Sequence, residues 1–151
     1  MLPCFSATTC VVVAFDGDGP LGSIPDVVLT TSDGGATWTA ESVTGLPDSL
    51  LASISCPAAS SCWLGGTVPP AGGGSGTPVA IGKGQGLLAW SGDGGSTWQR
   101  ATVPAGVGPI TDVTCPYTTT CYALGFVPSP SGMGPGEVVL LSTSGSDGFP
   151  T

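Results

Sequence analysis

The sequence predicts an all-β protein of repeated antiparallel sheets, and three observations lead to this fold class. A segment rich in Gly, Ser and Thr occurs twice in nearly the same form, at residues 31–38 and 91–98. Six cysteines fall in three pairs of identical spacing. No stretch shows the 3.6-residue periodicity of an amphipathic helix. We therefore expect short strands joined by turns, with essentially no helix.

The repeated segment has the residue types of a β-hairpin loop. It is Thr31-Ser-Asp-Gly-Gly-Ala-Thr-Trp38 in one copy and Ser91-Gly-Asp-Gly-Gly-Ser-Thr-Trp98 in the other, each between an apolar run and a polar strand. A short Asp side chain can bind the N–H groups of its own turn, and glycines supply positive φ values. A Trp ring buried beneath the turn needs one acceptor for its indole N–H. The residues predicted to hold the two loops, in a structural rather than a catalytic role, are Thr31, Asp33, Gly34, Gly35, Thr37, Trp38, Ser91, Asp93, Gly94, Gly95, Thr97 and Trp98.

A degenerate third copy is predicted at residues 142–149. Ser142 takes the first position, Ser144 stands where the Asp would be, and Phe149 replaces the Trp. Without the carboxylate, this turn is expected to be the least ordered of the three.

The cysteines predict three local disulfides. The pairs are Cys4 with Cys10, Cys56 with Cys62, and Cys115 with Cys121. Six cysteines allow 15 connectivities, but a Pro- and Ser/Thr-containing turn between two strands brings each pair together across its own hairpin. Zinc is disfavoured because the C-x5-C spacing is longer than that of zinc knuckles. Disulfides in turn predict an oxidising, extracytoplasmic compartment.

The spacing of the two motifs defines a repeat of about 52 residues with four strands. In the middle repeat the strands are expected at residues 51–56, 62–67, 87–91 and 97–103, and a low-complexity insertion is expected at 67–78. Four antiparallel strands in about 50 residues describe one propeller blade. The predicted units are 1–45 without its first strand, 46–104 complete, and 105–151 without its last strand.

These units are too few to close a propeller, which has four to eight blades. We therefore expect this chain to be a piece of a longer polypeptide, or to associate with neighbouring copies. The amino end has no signal-peptide pattern, which favours the first possibility.

Composition excludes several classes of function. The chain has two basic and ten acidic residues, for a net charge of −8. Neither nucleic-acid binding nor attraction to an anionic membrane is therefore expected. No run is apolar enough to insert into a membrane. The absence of His removes the commonest general base and any Ser-His-Asp arrangement. No catalytic residue and no cofactor is predicted.

The repeated segment, Ser/Thr-x-Asp-x-Gly-x-Thr-Trp, resembles the Asp-box (BNR repeat) of sialidase-like β-propellers. Together with the Cys-Pro-x4-Cys turn, it is similar to secreted bacterial Asp-box repeat proteins. The resemblance implies a propeller fold and loops that lie away from the family's active-site face. Sialidase activity requires three arginines, and this chain has only Arg100. That activity is therefore not expected.

Two further features of the sequence could bind a ligand. Asp16-Gly-Asp18-Gly19 resembles the start of a Ca²⁺ loop, although a plain acidic turn is favoured. Four aromatic residues could stack on sugars, but Trp63 and Tyr122 follow equivalent cysteines, which favours a role in the core or in packing between blades. These four are Trp63, Trp90, Tyr117 and Tyr122.

The function predicted from the sequence is a non-catalytic, extracellular or cell-surface propeller segment with a structural, adhesive or assembly role. Its expected partners are other blades of the same longer chain or neighbouring copies, with glycans as a further candidate. The alternative is a carbohydrate-binding or glycoside-hydrolase-like propeller whose active residues lie outside this sequence.

Overall fold

The computed structural model describes residues 4–15, 26–47, 49–70, 84–129 and 137–144. Within these ranges the chain forms ten strands and no helix. Accordingly, no described helix is long and apolar enough to cross a membrane. Asp16, Asp18, most of the predicted insertion and residues 145–149 lie outside the described ranges. The strands are β1 (Cys10–Phe15), β2 (Asp26–Thr31), β3 (Thr39–Ser42), β4 (Leu50–Ala58), β5 (Ser61–Val68), β6 (Gln85–Ser91), β7 (Gln99–Arg100), β8 (Ile110–Tyr117), β9 (Thr120–Val127) and β10 (Glu137–Ser144).

The strands form three antiparallel sheets, which confirms the predicted all-β fold class. The first sheet has the order β1-β2-β3, the middle sheet β4-β5-β6-β7, and the third sheet β10-β9-β8. Within each sheet, every strand pairs with the strand next to it in the sequence. Each sheet is thus a meander, the arrangement expected when successive strands are joined by hairpin turns.

The fourth strand of the middle sheet is much shorter than residues 97–103 predicted from the sequence. Only Gln99 and Arg100 are paired with β6, and one more hydrogen bond runs from Ala101 N to Leu88 O at 2.8 Å. Trp98 precedes the strand because its ring turns into the core, where it is 3% exposed. Pro104 has no N–H to continue the ladder.

The middle sheet buries both of its faces because a sheet packs on each side of it. One apolar cluster joins Val11 and Val28 of the first sheet to the face of the middle sheet that carries Leu87. A second cluster joins the opposite face, which carries Leu88, to Ile110 and its neighbours in the third sheet. Leu87 and Leu88 are both fully buried although they are consecutive in β6. A strand reads as a continuous apolar run when both of its faces are covered.

Close approach fixes the third sheet against the middle one. A Cβ at Gly65 would lie 2.6 Å from Val113 Cγ2 and 2.7 Å from Ile110 Cγ2, so only glycine leaves room there. Ser53 Oγ accepts from Val113 N at 3.2 Å, and Ser55 Oγ accepts from Cys115 N at 3.0 Å. The serines of β4 therefore join it to β8, the corresponding strand of the next sheet.

All three predicted disulfides are present, and no cysteine is free. The bonded Cα atoms are 3.9 Å apart for Cys4–Cys10, 4.1 Å for Cys56–Cys62 and 4.0 Å for Cys115–Cys121. In the middle and third sheets, the bond joins the first strand to the second across their connecting turn. Cys4 takes the matching position in the first sheet through an isolated bridge to Cys10.

Candidate functional site

The loop between β6 and β7 is organised by the carboxylate of Asp93. Its Oδ1 accepts from Thr97 N at 2.9 Å and from Ser91 Oγ at 2.7 Å. Its Oδ2 accepts from Thr97 Oγ1 at 2.6 Å. Ser91 Oγ in turn accepts from Gly95 N at 2.8 Å, which closes the loop on itself.

The loop between β2 and β3 repeats this network. Asp33 Oδ1 accepts from Thr37 N at 2.9 Å and from Thr31 Oγ1 at 2.8 Å, and its Oδ2 accepts from Thr37 Oγ1 at 2.6 Å. Gly35 N donates to Thr31 Oγ1 at 3.0 Å. Four glycines in the two loops have φ between 75° and 102°, as their positions predict; they are Gly34, Gly35, Gly94 and Gly95. A Ser or Thr, an Asp and a second Thr thus build the same hairpin closure twice.

These hydrogen bonds hold both carboxylates in the ionised form. Donation from the side chain and backbone of Thr37, together with Thr31, lowers the pKa of Asp33 from 3.8 to about 2. Donation from Thr97 and Ser91 also lowers the pKa of Asp93. A hydrogen bond to the charged form favours that form. Neither Asp is therefore placed to deliver a proton near neutral pH.

Each loop also contacts the disulfide turn of its own sheet. Gly94 N donates to Ser60 O at 3.4 Å, and Gly34 N donates to Thr8 O at 2.8 Å. This contact was not predicted from the sequence. It could have been, because strand direction reverses at each turn, so that an antiparallel meander places its first and third turns at the same end of the sheet.

Burial of the two tryptophans differs, and the prediction that Trp38 is buried beneath its turn is wrong. Trp98 is 3% exposed, whereas Trp38 is 40% exposed. Trp98 belongs to the cluster between the middle and first sheets, with Val43 and Leu46 packed against that cluster. No described residue provides the equivalent cover for Trp38. The expected acceptor for the Trp98 indole N–H is also missing, since Nε1 is buried without a hydrogen-bond partner among the described residues.

The position of the third copy is shifted by one residue from its predicted place. Backbone pairing sets Cys10 opposite Thr31, Cys62 opposite Ser91, and Cys121 opposite Thr143. Thr143 rather than Ser142 therefore takes the first loop position, and Ser144 does not take the place of the Asp. The predicted disorder of this turn concerns residues outside the described ranges.

The remaining candidates do not converge on a site. Trp63 pairs with Trp90 across β5 and β6 and is 5% exposed against the third sheet, so it packs between sheets. Tyr117 and Tyr122 are exposed, so the packing role predicted for Tyr122 is wrong among the described residues, because no described sheet lies over that face of the third sheet. Among the described residues, no three acidic or Cys side chains form a group that could hold a metal ion.

Comparison with known proteins establishes the fold only. No protein-family model matches the sequence, and no curated protein sequence matches it. The solved structure "YCF48 bound to D1 peptide" matches with a TM-score of 0.60 and 15% identity, over 97% of this chain and 36% of that one. The chain thus spans about a third of this neighbour, which is a β-propeller. The three antiparallel sheets are consistent with propeller blades.

Proposed function

We propose that this chain is a non-catalytic, extracellular part of an Asp-box β-propeller, with a structural, adhesive or assembly role. The observation that carries the proposal is the use of both loop carboxylates in internal hydrogen bonds. Both oxygens of Asp33 and of Asp93 accept from donors of the same loop. The most specific motif of the sequence is thereby accounted for by hairpin closure.

The acid-base properties of the two loop carboxylates support the same proposal. A glycosidase needs one carboxyl group that stays protonated near neutral pH beside one that is ionised. The two acids with lowered pKa, Asp33 and Asp93, belong to different sheets and lack this pairing.

The proposed location rests on the cysteines. Disulfides persist in oxidising compartments and are rare in the cytosol, and all six cysteines are bonded. These three disulfides are consistent with an extracellular protein. An adhesive role also agrees with the structural neighbour YCF48, which is bound to a D1 peptide in its solved structure.

Carbohydrate binding is the second candidate function, and the exposed tyrosines favour it. Tyr117 is 70% exposed and Tyr122 is 37% exposed. Exposed aromatic rings can stack on the apolar face of a sugar. Cleavage of that sugar would require acidic residues outside this chain.

A hydrolase assay paired with a glycan array tests the proposal. The purified, disulfide-bonded chain should release no product from a panel of fluorogenic glycosides, sialosides included, above a heat-denatured control. Turnover by the folded chain would contradict the non-catalytic role. On the array, binding that is lost in Tyr117→Ala but kept in Thr118→Ala would establish the carbohydrate alternative.

A further inference from the structure

The third sheet has an apolar face that no described residue covers. Ala123 and Leu141 pack against the middle sheet. Side chains alternate along a strand, so the residues between them point away from that sheet. We call this set the leading face; it consists of Tyr122, Leu124, Phe126, Val138 and Leu140. Val138 is 58% exposed and Leu140 is 64% exposed.

The same positions in the middle sheet are buried by a neighbouring sheet. Cys121 pairs with Thr143 as Cys62 pairs with Ser91, so Tyr122 corresponds to Trp63, and Leu140 corresponds to Leu88. Trp63 is 5% exposed and Leu88 is fully buried, both against the third sheet. The leading face is therefore the counterpart of a surface that already forms an interface within this chain.

The first sheet has the complementary apolar face. Val11 and Val28 pack on the middle sheet, and the side chains that alternate with them point the other way. We call this set the trailing face; it consists of Val12, Val27 and Leu29, together with Trp38, which takes the position of Trp98 in the repeated loop. By the repeat, these residues correspond to Leu64, Leu87, Ala89 and Trp98, all of which are buried in the cluster with the first sheet.

We propose that the leading face of one copy of this chain docks on the trailing face of a second copy. The contact repeats the packing of the first sheet on the middle sheet and of the middle sheet on the third. A second copy carries the matching face, so the occupant follows from the two interfaces already present in the chain. The proposal gives the partner for the assembly role proposed above and rests on it.

The two faces differ, so the association is heterologous, head to tail. Two copies bring together six sheets, which lies in the range of four to eight blades of closed propellers. We therefore expect a closed dimer with two equivalent contacts, in which the leading face of each copy meets the trailing face of the other. The contact is apolar, whereas each copy carries a net charge of −8. Because salt screens the repulsion between the copies, dimerisation should strengthen as ionic strength rises.

Sedimentation velocity over a wide range of protein concentration tests the association. The wild-type chain should pass from monomer to a species of twice the mass. Leu140→Asp and Trp38→Asp should each weaken dimerisation at least about tenfold, equivalent to ~1.4 kcal/mol. Thr118→Asp adds the same charge at an exposed turn outside both faces, and it should behave like the wild type. A wild-type chain that stays monomeric throughout would overturn the proposal.

Mixing the two variants tests the direction of the contact. Leu140→Asp keeps an intact trailing face, and Trp38→Asp keeps an intact leading face. In a closed dimer of the mixed pair, one contact is intact and the other carries both substitutions, whereas each variant alone has a substitution in both contacts. The mixture should therefore dimerise more strongly than either variant alone. If the mixture dimerises no more strongly than the variants do, the contact is not head to tail and the proposal fails.

Circular dichroism and a count of free thiols establish that each variant is folded. If Trp38→Asp does not fold, Val27→Asp takes its place on the trailing face. If Leu140→Asp does not fold, Val138→Asp replaces it on the leading face.

Failure of this proposal is separate from failure of the non-catalytic role. A dimer with hydrolase turnover contradicts only the latter, and an inactive monomer contradicts only the dimer.

Discussion

Gly45, which follows the first sheet, lies directly against the backbone carbonyl of Trp98, the residue just before β7 of the middle sheet. A Cβ at Gly45 would be 2.7 Å from Trp98 O, and Gly45 has a φ of +91°. Beside it, Thr44 Oγ1 donates to Ser96 O at 3.4 Å. The segment that leaves the first sheet therefore covers the loop of the middle sheet. Glycine is required at position 45 because a Cβ would clash with Trp98 O and because its φ is positive.

Gly45→Ala should destabilise the chain more than Gly106→Ala. Gly106 has a φ of +86°, but its Cβ would meet no described atom within 4 Å. Both variants lose about 1–2 kcal/mol from the left-handed backbone conformation, and Gly45→Ala loses more because a backbone oxygen must move. Urea unfolding of the two variants measures the difference. Equal losses would show that the contact with Trp98 has no energetic role.

Trp98→Ala and Trp38→Ala should differ widely in stability although the two loops are nearly identical in sequence. Removing a buried Trp side chain costs about 3–5 kcal/mol, whereas a change at an exposed position usually costs within about 0.5 kcal/mol. Unfolding should be measured at concentrations where the chain is monomeric, so that the proposed dimer does not contribute. Similar losses for the two variants would mean that Trp38 is covered in solution.

The local structure of this chain could be predicted from its sequence because the residues that interact lie within the same motif. Asp93 and Thr97 lie four residues apart and form a closed set with Ser91, so the loop can be predicted without knowledge of the surrounding sheets. The disulfides follow from the same logic, since each cysteine pair spans one turn.

The features that were not predicted from the sequence depend on contacts between distant parts of the chain. Trp38 and Trp98 have the same local sequence, and only the neighbouring sheet decides which of them is buried. The third loop copy begins one residue later than predicted, because Ser142 and Thr143 both carry a hydroxyl group and fit its first position equally well. A one-residue slip between them leaves the residue pattern nearly unchanged but moves every side chain to the other face.

Asp93→Ala should lower the melting temperature more than Asp112→Ala. Asp93 accepts three hydrogen bonds within its loop, whereas Asp112 accepts one from Ser53 on an exposed surface. Loss of the carboxylate leaves the N–H of Thr97 without its acceptor. Thermal unfolding of both variants measures the effect. If Asp93→Ala kept its stability but lost a measured binding activity, the structural role of the loop would be wrong.

The disulfide of the middle sheet should contribute stability without being needed for the sheet pairing. Each bond closes a loop of about seven residues, for which chain-entropy arithmetic gives roughly 2–2.5 kcal/mol. The double variant Cys56→Ser, Cys62→Ser should lose about this amount in urea unfolding.

Non-reducing peptide mapping of the wild type should recover only the three local links. A long-range link would be incompatible with the observed strand pairing.

Acid should destabilise the chain through the two loop carboxylates. Their pKa values in the folded chain lie below the ordinary 3.8, at about 2 for Asp33 and lowered also for Asp93. A depressed folded pKa adds stability that is fully present above the unfolded value and is lost as pH falls through the folded value. The loss should therefore begin near pH ~4 and continue to about pH 2 or below. Unfolding measured across this window should show a flatter pH dependence for the double variant Asp33→Ala, Asp93→Ala than for the wild type. Parallel curves would mean that these hydrogen bonds do not favour the ionised carboxylates.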